Sequence, residues 1–593
     1  ACRCFDSHMS HSDENAERGN WTSKYDYLLS LVGYAVGLGN IWRFPYLSYK
    51  NGGGAFIIPY LLSLILCAIP VIFLETAMGQ FCSQGPVNMW RAVPLLQGVG
   101  LAIVVLNTVV ALYYNALVAY ALYYMFASMQ SPLPWSSCLS WADSNCRNSP
   151  LVFCNISGNL VANWTHDNIT CPSSNVIKVP MPSPSEQYWN RVVLQRSSSL
   201  DETGHVVWHL ALCLLLSCMI IAAVLIKGIK SSGKAVYFTS TFPYVLLLIL
   251  IIRSAMLEGS GDGIAYYIGA KSNLTKLTEA QVWGDAVTQT FFSLSIGCGG
   301  IVTLASYNNF HNNIIKDSCF CGTSIFAGFA IFGLLGHMAH LYGQPIEAVV
   351  EEGFAMAFIV YPAGLTKLPG SSFFSFLFFL MLSLIGLDTQ FINIEVLVTI
   401  LCDSYPNVLK SRRGFVTFGI CSLLFLLGLP CVTQAGIYWV HLLDKFAGSW
   451  LILIMVLSEL IGFCYIYGVK NLIADIEMMI GKKSSTYWLI WKCSWLIITP
   501  VIAVLLWSLI SVTRPVYGEV LYPDWGTAMG WCVVAFVLIP IPGAIQVKAL
   551  TSPSEDWHPY LDIHCVDRYS KEIDEHMVSH QCYTTSGNGT CSH

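Results

Sequence analysis

Charged side chains are scarce in this sequence. Asp, Glu, Lys and Arg make up 11% of its 593 residues, whereas soluble domains carry about 25%. Hydrophobic residues make up 55%, and the mean hydropathy is +0.58. So few charges exclude an ordinary water-soluble globular protein. The composition predicts a polytopic membrane protein whose apolar surface faces lipid.

Several motifs of enzymes and nucleic-acid-binding proteins are missing as well. The glycine clusters near Gly52 and Gly299 lack the Gly-Lys-Ser/Thr sequence with which a P-loop holds ATP phosphates. His337 and His340 lack the glutamate of a zinc-protease helix, and no CxxC pairs stand out at metal-ligand spacing. No basic stretch is interleaved with aromatic residues. We therefore expect no enzymatic activity and no nucleic-acid partner.

Apolar segments about 20 residues long, the length that crosses a bilayer, recur along the chain. They lie at residues 26–47, 55–82, 99–127, 207–226, 235–256, 284–307, 319–340, 373–401, 414–434, 447–468, 486–511 and 525–547. These predict an all-α fold of twelve transmembrane helices over residues 25–547, between tails at 1–24 and 548–593. The first tail lacks the apolar core of a signal peptide, so we expect no cleaved leader.

Lysine and arginine concentrate in alternate loops between these spans. The basic loop residues are Arg91, Lys227, Lys230, Lys234, Lys316, Lys410, Arg412, Arg413, Lys470, Lys482 and Lys483. Because basic loops stay on the cytoplasmic side, this pattern places both termini in the cytoplasm. The opposite loops, which include a long polar one at residues 129–205, are predicted to be extracellular.

Sequons for N-glycosylation and candidate disulfide partners fall on this predicted outer side. The outer sequons begin at Asn155, Asn163, Asn168 and Asn273, and two others, at Asn20 and Asn588, lie on the predicted cytoplasmic side. Cys138 and Cys146 in the long loop are candidates for a disulfide, which an oxidising compartment permits. Cys154 and Cys171 are alternative partners for either of them.

The first apolar segment is poorly suited to a continuous helix. Residues 33–45 read GYAVGLGNIWRFP, and each glycine inside a helix costs about 1 kcal/mol relative to alanine. A second glycine-rich interruption lies at residues 295–300 of the sixth span. In lipid a broken helix survives only where it lines a protected cavity. Two such helices, five spans apart, predict a transporter binding site, with close packing of small residues as the alternative.

Broken helices offer backbone N–H groups to anions and carbonyl groups to cations, so this site suits a zwitterion beside small cations. Among the carboxylates inside predicted spans, Asp388 is followed by Thr389, and such oxygens suit a hard cation. A structural carboxylate is the alternative for Asp388. Glu75, Glu395 and Glu459 are interpreted as structural.

Longer motifs resemble the sodium- and chloride-dependent neurotransmitter symporter family. The motifs lie at residues 33–45, 51–56 (NGGGAF), 113–115 (YYN) and 386–389 (GLDT). Gly37 is similar to the amino-acid branch, since the monoamine carriers have Asp there. Segments similar to carriers of neutral and basic amino acids lie at residues 231–234, 328–332 and 432–441. The resemblance implies that spans 1–5 and 6–10 form a five-plus-five inverted repeat around a midplane site.

The resemblance also implies roles for individual residues. Substrate would contact Gly37, Leu38, Gly39, Val110, Tyr114, Phe292, Ser293, Ser295, Cys298 and Asn393. One sodium ion would be held by Ala35, Asn40 and Ser293, and another by Gly33, Val36, Ile385, Asp388 and Thr389. Chloride would be held by Tyr60, Gln289, Ser293 and Ser324. An outer gate would pair Arg43 with Asp444, and an inner latch Arg18 with Asp403, with Trp21 packed nearby.

Three departures from the family pattern stand out. Cys298 replaces an aromatic residue that closes over substrate in many relatives, which implies a roomier pocket and a broad substrate range. Asn393 adds a polar group that suits a cationic side chain. Phe320 stands where the family has an Asn for sodium and chloride, and about five residues are missing between Asn313 and Ser324.

The sequence thus predicts a plasma-membrane symporter that couples sodium and chloride entry to uptake of neutral and cationic amino acids by alternating access. Its expected partners are the amino-acid substrate and membrane lipid. One alternative is a narrower glycine or proline symporter. Another is a transport-impaired accessory relative, because of the shortened seventh span. An ion channel is a third, since broken helices also build selectivity filters.

Overall fold

The computed structural model describes most of the chain and shows a largely helical protein. The described residues are 19–146, 151–156, 159–162, 176–179, 183–269, 271–314, 323–342, 353–354, 356–509, 514–518 and 520–551. Within them, nine helices are long and apolar enough to cross a membrane. They are Gly53–Cys82, Pro94–Ala127, Trp208–Leu225, Ser231–Ala255, Ser371–Ser404, Pro406–Val432, Gly436–Ile466, Ser485–Leu505 and Asp524–Val547.

These nine helices coincide with nine of the predicted spans, so the all-α multi-pass fold is confirmed. Within the described ranges, the first, sixth and seventh predicted spans contain no helix that is long and apolar enough to cross a membrane. The first and sixth are interrupted, and the apolar part of the seventh is the shorter helix Gly328–His340. The count of twelve spans stays a prediction.

The α-helices are numbered in chain order. The first half contains α1 Lys24–Ala35, α2 Arg43–Lys50, α3 Ile57–Ser63, α4 Ile69–Cys82, α5 Gln97–Ala127, α6 Pro184–Gln187, α7 Trp208–Leu225, α8 Ile229–Ala255 and α9 Ser260–Ile268. The next group is α10 Ala280–Ser293, α11 Gly300–Ala305, α12 Thr323–Tyr342, α13 Tyr361–Leu365, α14 Ser371–Ser404, α15 Pro406–Leu409 and α16 Arg413–Gly428. The last group is α17 Gly436–Lys445, α18 Ile452–Leu460, α19 Val469–Ile480, α20 Ser485–Cys493, α21 Thr499–Leu509, α22 Asp524–Leu538 and α23 Pro540–Thr551.

Short 3₁₀ and π segments connect several of these α-helices into longer helices. The 3₁₀ segments are Leu38–Asn40, Gly53–Phe56, Asn88–Ala92, Pro94–Leu96, Leu274–Thr278, Lys410–Arg412 and Leu429–Val432. The π segments are Leu64–Ala68, Tyr188–Val193, Met356–Val360, Phe446–Leu451, Ile461–Ile466 and Ser494–Ile498.

Two small sheets lie outside the helices. In the long loop, β1 (Leu151–Ile156) pairs antiparallel with β2 (Asn159–Ala162), Phe153 opposite Ala162, and with β3 (Val176–Val179), Leu151 opposite Val179. A second pair, β4 (Val516–Tyr517) and β5 (Val520–Leu521), forms a hairpin. Neither sheet is predicted from the sequence, because these strands are short and carry no clear alternation of apolar residues.

The long loop also holds the disulfide, which joins Cys138 to Cys146. Asn155 lies on β1, whereas Asn163, Asn168 and Cys171 are outside the described residues. Asn273 is exposed and caps the segment Leu274–Thr278, and its Oδ1 accepts a hydrogen bond from the Thr275 amide at 3.2 Å.

Helices α5 and α14 form the buried scaffold of the described fold. Three polar contacts join them: Asn107 Nδ2 donates to the Asn393 carbonyl at 2.7 Å, Gln390 Nε2 donates to the Ala111 carbonyl at 3.0 Å, and the Tyr114 hydroxyl meets Thr389 Oγ1 at 3.4 Å. Helix α1 packs on α8 and α14, and α11 packs on α4 and α14. The scaffold therefore holds both interrupted helices against one another.

Candidate functional site

The first interruption separates α1 from α2. Helix α1 ends at Ala35, Gly37 has an extended backbone (φ −85°, ψ 169°), and Leu38–Asn40 form one 3₁₀ turn before α2 begins at Arg43. The freed Leu38 amide donates to the Tyr114 hydroxyl at 2.8 Å, and Asn40 Nδ2 donates to the Ala35 carbonyl at 3.1 Å. Side chains thus replace the missing helical hydrogen bonds, as the interior of a membrane requires.

The second interruption, at residues 294–299, separates α10 from α11. Three of its residues have left-handed backbones: Ser295 with φ +51°, Gly297 with φ +74° and Gly299 with φ +77°. Glycine adopts this conformation without the steric cost that other residues meet. The amide of Gly297 donates to Glu75 Oε1 at 2.8 Å, so this buried carboxylate of α4 holds the turn.

The two interruptions lie side by side. A Cβ on Gly39 would lie 2.6 Å from the ring of Phe292, and a Cβ on Gly300 would lie 2.3 Å from the ring of Tyr34. Each interrupted helix therefore presents a glycine to an aromatic ring of the other. Only glycine permits this approach at both contacts.

Gly37 and Tyr114, two residues predicted to contact the substrate, lie next to each other. A Cβ on Gly37 would lie 3.2 Å from the Tyr114 hydroxyl and 3.9 Å from Thr389 Oγ1. The same hydroxyl holds the Leu38 amide. A phenol hydroxyl and the exposed backbone of a helix break form a donor-rich corner that suits a carboxylate.

Most of the residues predicted for one sodium ion line a single small cavity. Its lining includes Gly33, Val36, Ile385 and Asp388, four of the five predicted positions. Asp388 is 1% exposed, and its carboxylate accepts hydrogen bonds from Thr239 at 2.7 Å and from Ser240. Thr389 lies next to this cavity, and its hydroxyl donates to the Ile385 carbonyl at 3.3 Å.

Sequence reasoning missed Thr239 and Ser240 as neighbours of Asp388. Both lie on α8, and Ser240 Oγ also contacts the Leu29 carbonyl of α1 at 3.1 Å. The available signal was a run of hydroxyl side chains, Thr239 to Thr241, inside an otherwise apolar span. Hydroxyl groups in lipid usually bond within their own helix, so this signal does not name the carboxylate they meet.

The residues predicted for the other sodium ion lie where the two interruptions meet. Asn40 is 1% exposed, and its Oδ1 is buried without a hydrogen-bond partner in the described structure. Ser293 is 3% exposed and donates to the Thr290 carbonyl at 3.2 Å. An unpartnered amide oxygen beside hydroxyl and carbonyl oxygens fits the oxygen ligands of a small hard cation.

Three of the four predicted chloride residues, Tyr60, Gln289 and Ser293, have described contacts. Gln289 Nε2 reaches the Gly39 carbonyl at 3.5 Å, whereas its buried Oε1 has no partner in the described part of the chain. Tyr60 packs edge-on against Phe44, with ring centroids 4.9 Å apart. Ser324 lies on α12, but its side chain and Phe320 are outside the described structure.

Two more residues predicted to contact substrate, Cys298 and Asn393, both lie close to Tyr34. Cys298 is 4% exposed and Asn393 is 2% exposed. Asn393 Oδ1 accepts a hydrogen bond from the Tyr34 hydroxyl at 3.5 Å. Val110 lies on α5, one turn before Tyr114. Tyr34 was not predicted as a pocket residue, because nothing in the sequence distinguishes it from a packing aromatic.

The predicted outer gate residues approach one another above this site. The Arg43 guanidinium lies 4.4 Å from the centroid of the Phe292 ring, a cation–π contact. Asp444 faces both Arg43 and Tyr113. These side chains lie together at one end of the two interruptions.

The predicted inner latch is described only in part, because Arg18 is outside the described residues. Asp403 Oδ2 accepts a hydrogen bond from the Gly85 amide at 3.0 Å. Trp21 anchors the described start of the chain, since its indole donates to the Leu304 carbonyl of α11 at 3.0 Å. A buried pair lies close by, in which Arg413 donates to Glu395, and Tyr307 donates to the same carboxylate oxygen at 3.3 Å.

Two interrupted helices packed around buried, partly unpartnered polar groups define a membrane transporter of the broken-helix class. The sequence matches the sodium:neurotransmitter symporter family over residues 18–552, nearly the whole chain, and the chain belongs to this family. The family resemblance is therefore confirmed.

Curated relatives show which members this chain is similar to. It is 52% identical to the human sodium- and chloride-dependent neutral and basic amino acid transporter B(0+), over 98% of this chain and 95% of that protein. The mouse protein of the same name is also 52% identical, with the same coverage. The sodium- and chloride-dependent glycine transporter 2 of Xenopus laevis is 43% identical over 95% of this chain and 75% of that protein.

Proposed function

We propose that this protein is a plasma-membrane symporter that couples entry of sodium and chloride ions to uptake of neutral and cationic amino acids. The observation that carries the proposal is Asp388. Its carboxylate is buried against Gly33 of the interrupted helix, and within the described ranges no basic side chain pairs with it. A buried carboxylate without a cationic partner is costly, and a sodium ion supplies the missing charge.

The amino-acid substrate occupies the volume between the two interruptions. Its carboxylate meets the backbone at residues 37–39 and the Tyr114 hydroxyl. Its amine meets the carbonyl groups at the end of α10, at Phe292 and Ser293. The sodium ion at Ala35, Asn40 and Ser293 lies beside the substrate carboxylate. Chloride at Tyr60, Gln289, Ser293 and Ser324 offsets part of the positive charge.

Energy for uptake comes from the ion gradients and the membrane potential, which contributes about 2.3 kcal/mol per charge per 100 mV. Alternating access follows if the bundle of spans 1, 2, 6 and 7, which contains both interrupted helices, rocks against the other spans, α5 and α14 among them. Arg43, Phe292 and Asp444 then close the outer side, while Asp403 belongs to the inner closure. We place both termini in the cytoplasm and the loop at 129–205 outside, with Asn155, Asn163, Asn168 and Asn273 as glycosylation sites.

Uptake measurements test the proposed function directly. Cells expressing the protein are expected to accumulate radiolabelled leucine and arginine, and replacement of sodium by choline or of chloride by gluconate is expected to abolish both signals. Untransfected cells supply the background. Uptake of glycine or proline without arginine would contradict the broad substrate range and favour the narrower symporter.

Other outcomes separate the remaining classes. If the protein binds amino acids independently of sodium and cells do not accumulate them, it is the transport-impaired relative. The shortened seventh span is the reason for considering that alternative. A substrate-independent ohmic current would indicate a channel. Current that appears only with substrate, in constant proportion to labelled uptake, supports the symporter.

Replacement of Asp388 by asparagine is expected to raise the sodium concentration for half-maximal leucine uptake by more than about 100-fold, because loss of one partner of a buried charge pair costs about 3–5 kcal/mol. The size of the side chain is retained, while the charge is lost and one acceptor oxygen becomes an amide donor. The measurement is leucine uptake against sodium concentration, normalised to protein at the cell surface.

Thr239→Val is the matched control for Asp388→Asn. It removes one hydrogen bond to the carboxylate but keeps the charge and the hydrogen bond from Ser240, so the half-maximal sodium concentration is expected to rise by roughly 10- to 20-fold. If Asp388→Asn keeps the sodium dependence of the wild type, the sodium ion is not held by Asp388.

A further inference from the structure

Two asparagines meet where α5 crosses α14, and each keeps one amide group unpartnered in the described structure. Asn107 is fully buried, and its Nδ2 donates to the Asn393 carbonyl at 2.7 Å while its Oδ1 has no partner. Asn393 is 2% exposed, and its Oδ1 accepts from Tyr34 while its Nδ2 has no partner. A buried polar group without a partner is expensive, so both groups indicate a ligand.

The position of these amides connects them with the substrate site. Asn107 precedes Val110 by three residues and Tyr114 by seven, so all three lie on one face of α5. Seven residues of helix span about 10 Å, which separates the carboxylate corner at Tyr114 from the level of Asn107. Tyr34, which contacts Asn393, lies three residues before Gly37. With the substrate carboxylate placed at Tyr114, as proposed above, the two amides would lie on the side of the site that receives the side chain of the substrate.

The free groups are complementary in kind. Asn107 Oδ1 accepts a hydrogen bond, and its orientation is set because Nδ2 donates to a backbone carbonyl. Asn393 Nδ2 donates. We propose that Asn107 and Asn393 together bind a carboxamide side chain and that Asn107 is a specificity-determining residue. In glutamine or asparagine, the amide nitrogen donates to Asn107 Oδ1 and the amide oxygen accepts from Asn393 Nδ2.

Other side chains satisfy this pair less completely. An ammonium or guanidinium group has donors only, so it satisfies Asn107 Oδ1 and leaves Asn393 Nδ2 unpaired. An apolar side chain leaves both groups unpaired, and each unpaired group lowers affinity. The inference rests on the proposed amino-acid transport and names the side-chain chemistry that Asn107 adds to it.

Glutamine and methionine are matched probes, because their side chains are similar in length and differ in polarity. The measured ratio is the half-maximal uptake concentration of glutamine divided by that of methionine. In Asn107→Leu this ratio is expected to be about tenfold higher than in the wild type, since one hydrogen bond is lost. Thr108→Val is the control, because the Thr108 hydroxyl donates only to the Val104 carbonyl of its own helix at 2.8 Å. That variant is expected to leave the ratio unchanged.

The ratio separates recognition from a structural role, because a structural defect changes uptake of both amino acids alike. If Asn107→Leu does not reach the surface, the smaller Asn107→Ala gives the same test. An unchanged ratio with intact uptake of methionine would overturn this inference alone and assign the two amides to a buried water. Absence of any sodium-dependent uptake in the wild type would overturn the proposed function, and this inference with it.

Discussion

Replacement of Gly33 by alanine is expected to abolish sodium-dependent leucine uptake. A Cβ at this position would lie 1.9 Å from Asp388 Oδ2 and 2.3 Å from Ser240 Oγ, far inside van der Waals contact. Neither neighbour can move freely, because the carboxylate is held by Thr239 and Ser240 at once. The added methyl group therefore separates α1 from α8 and α14 and occupies the space proposed for the sodium ion.

Gly419→Ala is the matched control for this substitution. Gly419 lies within α16, and a Cβ there meets nothing within 4 Å. Alanine is favoured over glycine in a helix by about 1 kcal/mol, so uptake and surface amount are expected to equal or exceed those of the wild type. Surface biotinylation with labelled leucine uptake measures both. If Gly33→Ala transports at more than half the rate of the wild type, the close approach of α1 to Asp388 is not required.

Arg413→Leu is expected to destabilise the protein by about 3–5 kcal/mol, because it leaves the Glu395 carboxylate buried and unpaired. The Glu395 side chain is 3% exposed and that of Arg413 is 23% exposed. In the described structure, the hydroxyl groups of Tyr307 and Thr399 then remain as contacts of the carboxylate, at 3.3 and 3.4 Å. The thermal unfolding midpoint of detergent-purified protein, and the fraction that reaches the cell surface, should both fall.

An exposed pair provides the control for the buried one. Arg514 and Asp524 lie 2.6 Å apart, but their side chains are 57% and 79% exposed, so Arg514→Leu is expected to cost less than about 1 kcal/mol. The double substitution Arg413→Leu with Glu395→Leu removes the unpaired charge and is expected to recover much of the lost stability. Equal destabilisation by Arg413→Leu and Arg514→Leu would show that burial of the Glu395 pair does not matter.

The interrupted helices show what the local sequence of a membrane protein predicts and what it does not. Gly33, Gly37 and Gly39 oppose a continuous helix. The interior of a membrane contains no water that could form hydrogen bonds with the freed backbone groups. The position of the break was therefore predictable. Its partners were not: the Leu38 amide meets Tyr114, and the Gly297 amide meets Glu75. These partners come from distant helices, and only packing brings them close.

The charged residues divide in the same way. A carboxylate inside an apolar span can be recognised from the sequence, because its burial requires compensation. Asp388, Glu75 and Glu395 are all of this kind. Their compensation differs, however. Among the described residues, Glu395 has Arg413 as its partner, Glu75 accepts from a backbone amide, and Asp388 accepts only from hydroxyl groups. The sequence carries no sign of that difference, on which the assignment of a cation to Asp388 depends.

Composition and the spacing of apolar runs were sufficient for the multi-pass helical fold, because lipid requires long segments with internally satisfied backbones. The motifs at residues 33–45 and 386–389 were sufficient for the family. Which side chains face one another was decided by the tertiary structure. Thr239 lies 149 residues from Asp388, and Asn107 lies 286 residues from Asn393. Such pairs follow from the crossing of helices on the α5–α14 scaffold, and helical periodicity within one span contains no information about the span that it meets.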